Sequence, residues 1–328
     1  MTVINNPSCI VTASNTGVAN CKPYPSIIKG AVLLPKGKVL SEAECADLKT
    51  TLAALYIANS SLRAYPIQEL TGFKDSSKEE TKGTSGSYGA EKYVKRAEYV
   101  WEFELINGVF YANRLRSFNS PNNAYDVIFL DEKNQMWGTT SVTAGVTGFK
   151  GYSLTEFHVM DNKMADGANA GLNNVVSFAL KDAKEFNENI AMLSDATVNI
   201  ELSDLKGMID LTHTSVGGVL KISIGIQKAD DKTDLYDTYA TQFAALGNFI
   251  IKKGGVVKSV GTTANDLVAI AANPLTKKWD ITLYAGSAGT DFTVEMQTPT
   301  VLAAAGIGGT PGNYFEDVSI TTATVTAT

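Results

Sequence analysis

The seven residues Tyr99-Val100-Trp101-Glu102-Phe103-Glu104-Leu105 restrict this chain more than any other stretch. Their odd positions are aromatic or aliphatic, and two of the even ones are acidic. Successive side chains of an extended backbone point to opposite faces, so this alternation predicts a half-buried strand. Any fold built around it must supply an apolar layer for the Trp101 and Phe103 face. Glu102 and Glu104 are left together on the other face, toward solvent or a partner.

The period then lengthens. After Asn107-Gly108, Phe110 or Tyr111, Leu115 and Phe118 recur every three to four residues, which predicts a short amphipathic helix stopped by Asn119-Ser120-Pro121. Residues 125–130 and 135–137 are β-rich runs flanking the polar Asp131-Glu132-Lys133-Asn134, the pattern of a hairpin. Strand, covering helix and hairpin together predict a sheet with one face roofed over.

Upstream, residues 1–29 are rich in Asn, Ser, Thr and Pro and read as a tail, or as an arm that lies on a neighbouring subunit. Residues 31–35 form a short strand. Ser41-Glu42-Ala43-Glu44 is a capping box, in which the serine hydroxyl accepts from the Glu44 amide while Glu44 reaches back. Cys45, Leu48, Leu52, Leu55 and Tyr56 continue it as one apolar helical stripe out to about Asn59. Residues 65–70 predict another strand. Residues 73–90 are a long polar, glycine- and serine-rich segment, read as a loop. Loops of this length are usually functional or disordered. Lys82, Gly83, Ser85, Gly86 and Tyr88 are its candidate inter-subunit contacts, and a solvated loop is the plainer alternative.

Downstream, 152–160 predicts a strand, 161–174 a second polar loop, and 175–180 a strand running into a helical segment at 183–193. The texture changes near Ser194-Asp195-Ala196, which sets the expected domain boundary between 195 and 196. The second half alternates short β runs with turns, at 197–202, 208–212, 219–226, 248–251, 256–260, 267–271, 279–285 and 292–296. A helix is expected over 235–246, capped by Thr233, and a last strand within 317–328. The expected fold is therefore mainly β (α+β). It comprises an arm (1–29), an antiparallel sandwich or barrel with a flanking helix (30–195), and a second β-rich sandwich-like domain (196–328).

Chemical signatures are sparse. A net charge of −6 argues against general affinity for nucleic-acid phosphates. No run of 18 apolar residues is present, so no transmembrane helix is expected, and the N-terminus lacks the basic start and apolar core of a secretory signal. Cys9, Cys21 and Cys45 fit neither a zinc-site nor a Cys-x-x-Cys spacing. His158 and His213 lie near no metal-ligand pattern. The glycines of 83–89 and 306–309 miss the dinucleotide fingerprint, and the Asp-rich runs at 161–166 and 230–234 miss the EF-hand pattern. No cofactor or metal is therefore expected, and no catalytic residue. Glu102 and Glu104 admit three readings: a general acid and base, a solvated outer face, or, in a ring-forming protein, a negative lumen that repels DNA phosphates.

Four stretches carry a family resemblance: Asn15-Thr16-Gly17-Val18-Ala19-Asn20-Cys21, Gly30-Ala31-Val32-Leu33-Leu34-Pro35-Lys36-Gly37, Leu115-Arg116-Ser117-Phe118-Asn119 and Val127-Ile128-Phe129-Leu130-Asp131. Across residues 15–140 the chain resembles tailed-bacteriophage virion proteins of Bacteroidetes-type phages and prophages, and most of all a major tail, or tail tube, protein. The resemblance implies a non-enzymatic, self-assembling virion subunit made in the host bacterial cytoplasm. Its partners would be further copies of itself in stacked rings, other virion proteins, and DNA passing through the lumen, with no membrane. A capsid decoration protein, a head–tail connector or a host-surface carbohydrate-binding module shares the same texture.

Overall fold

The computed structural model describes residues 25–59, 61–78, 81–84, 91–95, 99–120, 124–143, 146–161, 174–194, 199–308 and 314–327. The chain divides into two compact units, Met1–Lys206 and Gly207–Thr328. Both are mainly β.

The first unit begins with β1 (Ile28–Pro35), β2 (Val39–Leu40), the helices α1 (Glu42–Ala46) and α2 (Leu48–Tyr56), then β3 (Tyr65–Ile67) and β4 (Leu70–Asp75). A hairpin of β5 (Thr81–Thr84) and β6 (Glu91–Lys95) leads to β7 (Val100–Leu105) and α3 (Gly108–Leu115), prolonged by a 3-10 turn over Arg116–Phe118. There follow β8 (Tyr125–Asp131), β9 (Met136–Thr143), β10 (Val146–Lys150), β11 (Tyr152–Val159), β12 (Asn174–Leu180), α4 (Ala183–Asn187) and β13 (Ile190–Leu193).

One large sheet runs β2-β10-β9-β8-β11-β12-β7-β4, with β1 added along β8, β3 along β1 and β13 along β9. All of these pairings are antiparallel. The sheet curls so that β8 is buried on both faces. Val127 and Phe129 join an aromatic core, while Ile128 and Leu130 join a second core under the helices. A strand buried on both sides must be apolar throughout, and that accounts for the unbroken Val127-Ile128-Phe129-Leu130 run.

The capping box is formed as the spacing predicts. Ser41 Oγ accepts from the Glu44 amide at 3.3 Å, and the Glu44 carboxylate accepts from the Ser41 amide at 2.7 Å. The helix breaks at Asp47 (φ −129°), yet Cys45, Leu48, Leu52 and Tyr56 still share one buried face. On α3 the buried residues are Ala112 and Leu115, whereas Phe110 is 87% exposed, so the packed stripe runs through Tyr111 and not through Phe110.

Three expectations for this half are corrected. The 73–90 segment is not a continuous loop: β4 extends to Asp75, and Lys82 and Gly83 lie in β5, paired with β6. Ser85, Gly86 and Tyr88 lie outside the described residues. The helix expected over 183–193 ends at Asn187, because Ile190–Leu193 alternates in burial and pairs with β9 instead. Of the strand expected at 197–202, the described residues 199–201 are in no strand and Leu202 opens a 3-10 turn, Leu202–Asp204. Ile200 and Leu205 are buried in the α1–α2 core, so residues 199–206 belong with the first unit, later in the chain than the 195/196 texture change.

The second unit contains β14 (Met208–Gly218), β15 (Lys221–Lys228), β16 (Phe249–Lys253), β17 (Val256–Val257), β18 (Leu267–Asn273), β19 (Lys278–Leu283), β20 (Gly289–Met296), β21 (Tyr314–Asp317) and β22 (Thr321–Val325). They form two sheets, β18-β19-β15-β14-β21 and β17-β16-β20-β22. Ile222, Ile224 and Ile281 of the first sheet and Ile251, Phe292 and Val294 of the second belong to one core, the interdigitated interior of a sandwich. The pairing is antiparallel except between β14 and β21.

The helix expected over 235–246 is a single turn, Tyr236–Tyr239. Its N-cap position is Leu235, not Thr233, and the preceding Asp234 carboxylate accepts from the Tyr236 amide at 2.7 Å. The Ala240 carbonyl, which a continuing helix would need, accepts from the Trp279 indole at 2.9 Å. A short helix over Pro299–Ala304, unmarked by any apolar stripe, starts with proline at its first turn.

Candidate functional site

β7 organises the end of the first unit's sheet. It lies between β12 and β4, and its burial alternates as its composition predicts, with Trp101, Phe103 and Leu105 inward. On the outer face Glu102 is opposite Ser177 of β12 and Lys74 of β4, and Glu104 is opposite Val175 and Thr71. Both carboxylates therefore share one side of the strand, and both are half-buried.

Lys74 Nζ is 3.2 Å from Glu102. The Glu104 side chain packs over Gly72, where an added Cβ would lie 2.7 Å from the Glu104 carboxyl carbon. Gly72 has φ +56°, and β4 shifts register between Thr71 and Lys74. A positive φ and a close approach both call for glycine, so the bulge and the glutamate are built for each other. The acidic pair is thus roofed by β4 rather than standing as an open charged face.

The inner face opens into a cavity of about 590 Å³. Trp101, Phe103, Phe129, Trp137 and Tyr152 form its depth, each at most 9% exposed. Phe73, Asp75, Tyr99 and Phe186 stand around them, with residues 25–28 beside. Trp101 is the hub. Its ring centroid lies 4.9 Å from Phe186, 5.5 Å from Phe129, 6.2 Å from Tyr99 and 6.4 Å from Phe73. These tilted and edge-on geometries suit aromatic quadrupoles. The Trp137 indole donates to Asp131 at 2.9 Å. The Tyr152 hydroxyl is buried with no hydrogen-bond partner among the described residues, and burial, then the charge of Glu185, pushes its pKa up. Sequence reasoning found Trp101 but not the cavity, because Phe73, Tyr152 and Phe186 converge on it only through strand pairing and the return of α4.

Two other polar clusters were invisible in the sequence. In the first unit Asp126 is fully buried. It accepts from the Gly37 amide at 2.8 Å and lies 3.5 Å from Lys150, which also contacts Glu185 (3.1 Å) and Ser153 (2.5 Å). Lys150 sits between two carboxylates and ties β10 to β8 and α4. In the second unit His213 is buried. Its Nε2 lies 2.9 Å from the Val294 carbonyl, and its Nδ1 faces both Asp317 (3.1 Å) and Ser319 Oγ (2.8 Å). Serine and aspartate share one ring nitrogen while a backbone carbonyl takes the other, so the ring has no free nitrogen to relay a proton from a nucleophile as in a hydrolytic triad. It ties β14 to β20 across the sandwich. His158, in contrast, is exposed, 3.3 Å from Asn119.

Cys45 is buried, and burial followed by the charges of Glu42 and Glu44 pushes its thiol up to about 12. A thiol so far from ionising is a poor nucleophile. Among the described residues no cluster of three or more His, Cys, Asp or Glu side chains is arranged to hold a metal ion. No helix is long and apolar enough to cross a membrane.

No protein-family model matches the chain, and no curated protein matches it. Among solved structures, a chain of the cryo-EM structure of the anti-feeding prophage (AFP) baseplate, 6-fold symmetrised, is similar over 53% of this chain and 97% of that one, at 12% identity. The TM-score is 0.23. A score of that size does not establish a shared fold.

Proposed function

We propose that this chain is a non-enzymatic structural subunit of a phage-type virion, by preference the tail tube subunit, made in the host cytoplasm and assembled into stacked rings around a DNA channel. The observation that carries the reading is the end of the first unit's sheet. Among the described residues β4 hydrogen-bonds one neighbour, β7, and four of its six residues are exposed. A strand paired on one side presents backbone donors and acceptors that a neighbouring copy's strand would satisfy. The β5–β6 hairpin follows directly in sequence, carrying Lys82 and Gly83, while Ser85, Gly86 and Tyr88 lie outside the described residues. The family texture over residues 15–140 points the same way.

The test is negative-stain electron microscopy with light scattering on the purified full chain over a concentration series. Rings or tubes that grow with concentration are expected. Replacing Lys82, Ser85 and Tyr88 together by alanine is expected to block association while circular dichroism stays unchanged. A wild-type chain that stays monomeric at the highest concentration would sink the tube reading and shift weight to a decoration or connector role.

A further inference from the structure

The aromatic cavity borrows Phe73 and Asp75 from β4, the strand whose free edge carries the proposed assembly, and its lining has a definite chemistry. Among the described residues it is lined by thirteen, of which eight are aromatic, Asp75 is the single charged one, and none is lysine, arginine or histidine. Its volume, about 590 Å³, lies in the range of small-molecule sites, roughly 300–1,000 Å³. Aromatic faces carry negative charge density and attract cations that come within about 6 Å of the ring centre. Asp75, exposed and beside Phe73 and Tyr99, adds a full negative charge at the mouth. A carboxylate ligand would meet repulsion there, and a sugar would find too few polar partners for its hydroxyls. Deeper in, the unpartnered Tyr152 hydroxyl costs stability unless a polar atom reaches it.

We propose that this cavity binds a small organic cation, an ammonium group carried on an apolar or aromatic body. The ammonium sits at the mouth between Asp75 and the Phe73, Tyr99 and Trp101 rings. The body fills the depth against Phe129 and Trp137, and any polar atom on it meets the Tyr152 hydroxyl. Such a headgroup occurs both in free amines and in choline lipids, which share this chemistry.

The experiment is calorimetric titration of the full chain with benzyltrimethylammonium, benzyl alcohol and phenylacetate, followed in parallel by tryptophan fluorescence, since Trp101 and Trp137 line the cavity. The cation is expected to bind at least tenfold more tightly than either of the others. Asp75→Asn, at an exposed position where the amide oxygen can still accept from the Ser77 amide, is expected to weaken the cation about fivefold and leave benzyl alcohol unchanged. Trp101→Leu is expected to weaken all binding about tenfold or more. Sedimentation with phosphatidylcholine vesicles then separates the sources: co-sedimentation lost in Asp75→Asn assigns a lipid headgroup, and binding of the soluble cation alone assigns a free amine. Equal affinity for cation and alcohol, or an unchanged Asp75→Asn variant, would overturn the cation assignment. No heat and no fluorescence change with any probe at millimolar concentration would overturn the site.

Discussion

The two units both centre on a tryptophan, and they treat it differently. Trp101 lies in a cluster that borders open space on one side. Trp279 is fully enclosed: its ring lies 5.1 Å from those of Tyr236 and Phe243, and its indole is bonded to a backbone carbonyl. One interior is finished and the other keeps room. Close packing is the rule for a structural core, since every lost contact forfeits dispersion energy. A cavity with that many aromatic walls is therefore a feature that demands a use.

The comparison is broken or sharpened first by truncation. Trp279→Ala removes a ring contacted on all sides and is expected to cost the second unit about 3–5 kcal/mol. Trp101→Ala enlarges a space that already exists, so its cost is expected nearer about 2 kcal/mol. Urea unfolding of each variant is read as two transitions, because two units need not unfold together. Equal losses would show that the first cavity is collapsed in solution.

The buried aspartates extend the contrast. Burial tends to raise the pKa of Asp317, but hydrogen bonds from His213, the Met296 amide and Ser319 outweigh it and hold the carboxyl below its ordinary 3.8. Its stabilising contribution is therefore present above that value and is lost as pH falls through the depressed one. Asp231, Asp266, Asp280 and Asp291 of the same unit are also held low, by hydrogen bonds from Thr233, Thr263, Ser223 and Lys253 among others. The second unit is accordingly expected to unfold first in an acid titration followed by tryptophan fluorescence. Asp317→Asn removes the buried carboxylate that accepts from the Met296 amide and Ser319 and faces His213, and is expected to cost about 3 kcal/mol at neutral pH. A loss under about 1 kcal/mol would mean that the pair is merely tolerated.

How much of this was legible in the sequence follows from the range of each interaction. The β7 alternation, the capping box and the β8–β9 hairpin are set by neighbours within a few residues, and all three form. The Leu235–Leu246 stripe failed because one distant indole, 39 residues along the chain, claims the Ala240 carbonyl. Ile190–Leu193 is expected to continue the helix begun at Ala183, and pairing with β9 makes it a strand instead. Glu102 and Glu104 were placed on the correct face, but Lys74 and Gly72, which cover them, reach them through strand pairing. The His213–Asp317–Ser319 cluster joins residues about a hundred positions apart, and no local pattern announces it.

The smallest expected effect tests the contrast most directly. Burial raises the Asp126 carboxyl above its ordinary 3.8, and the Gly37 amide and Lys150 offset that only in part, with Glu185 adding to the rise. The sign is therefore opposite to that of Asp317. The contribution of Asp126 is most favourable below its ordinary value and declines as pH rises through the raised one. Among the described residues one of its oxygens is buried without a partner, so the ionised form is poorly supported. Asp126→Asn keeps an acceptor for Gly37, and Lys150 keeps Glu185. The substitution is expected to change stability by less than about 1 kcal/mol at neutral pH. Across a pH series the variant should gain on the wild type as pH rises, whereas Asp317→Asn should lose ground over the same range. Urea midpoints measured from about pH 2 to 6, about two units either side of the usual carboxylate value, give both slopes. Slopes of the same sign would mean that the two buried carboxylates are held alike, and the distinction between a tolerated charge and a used one would fall.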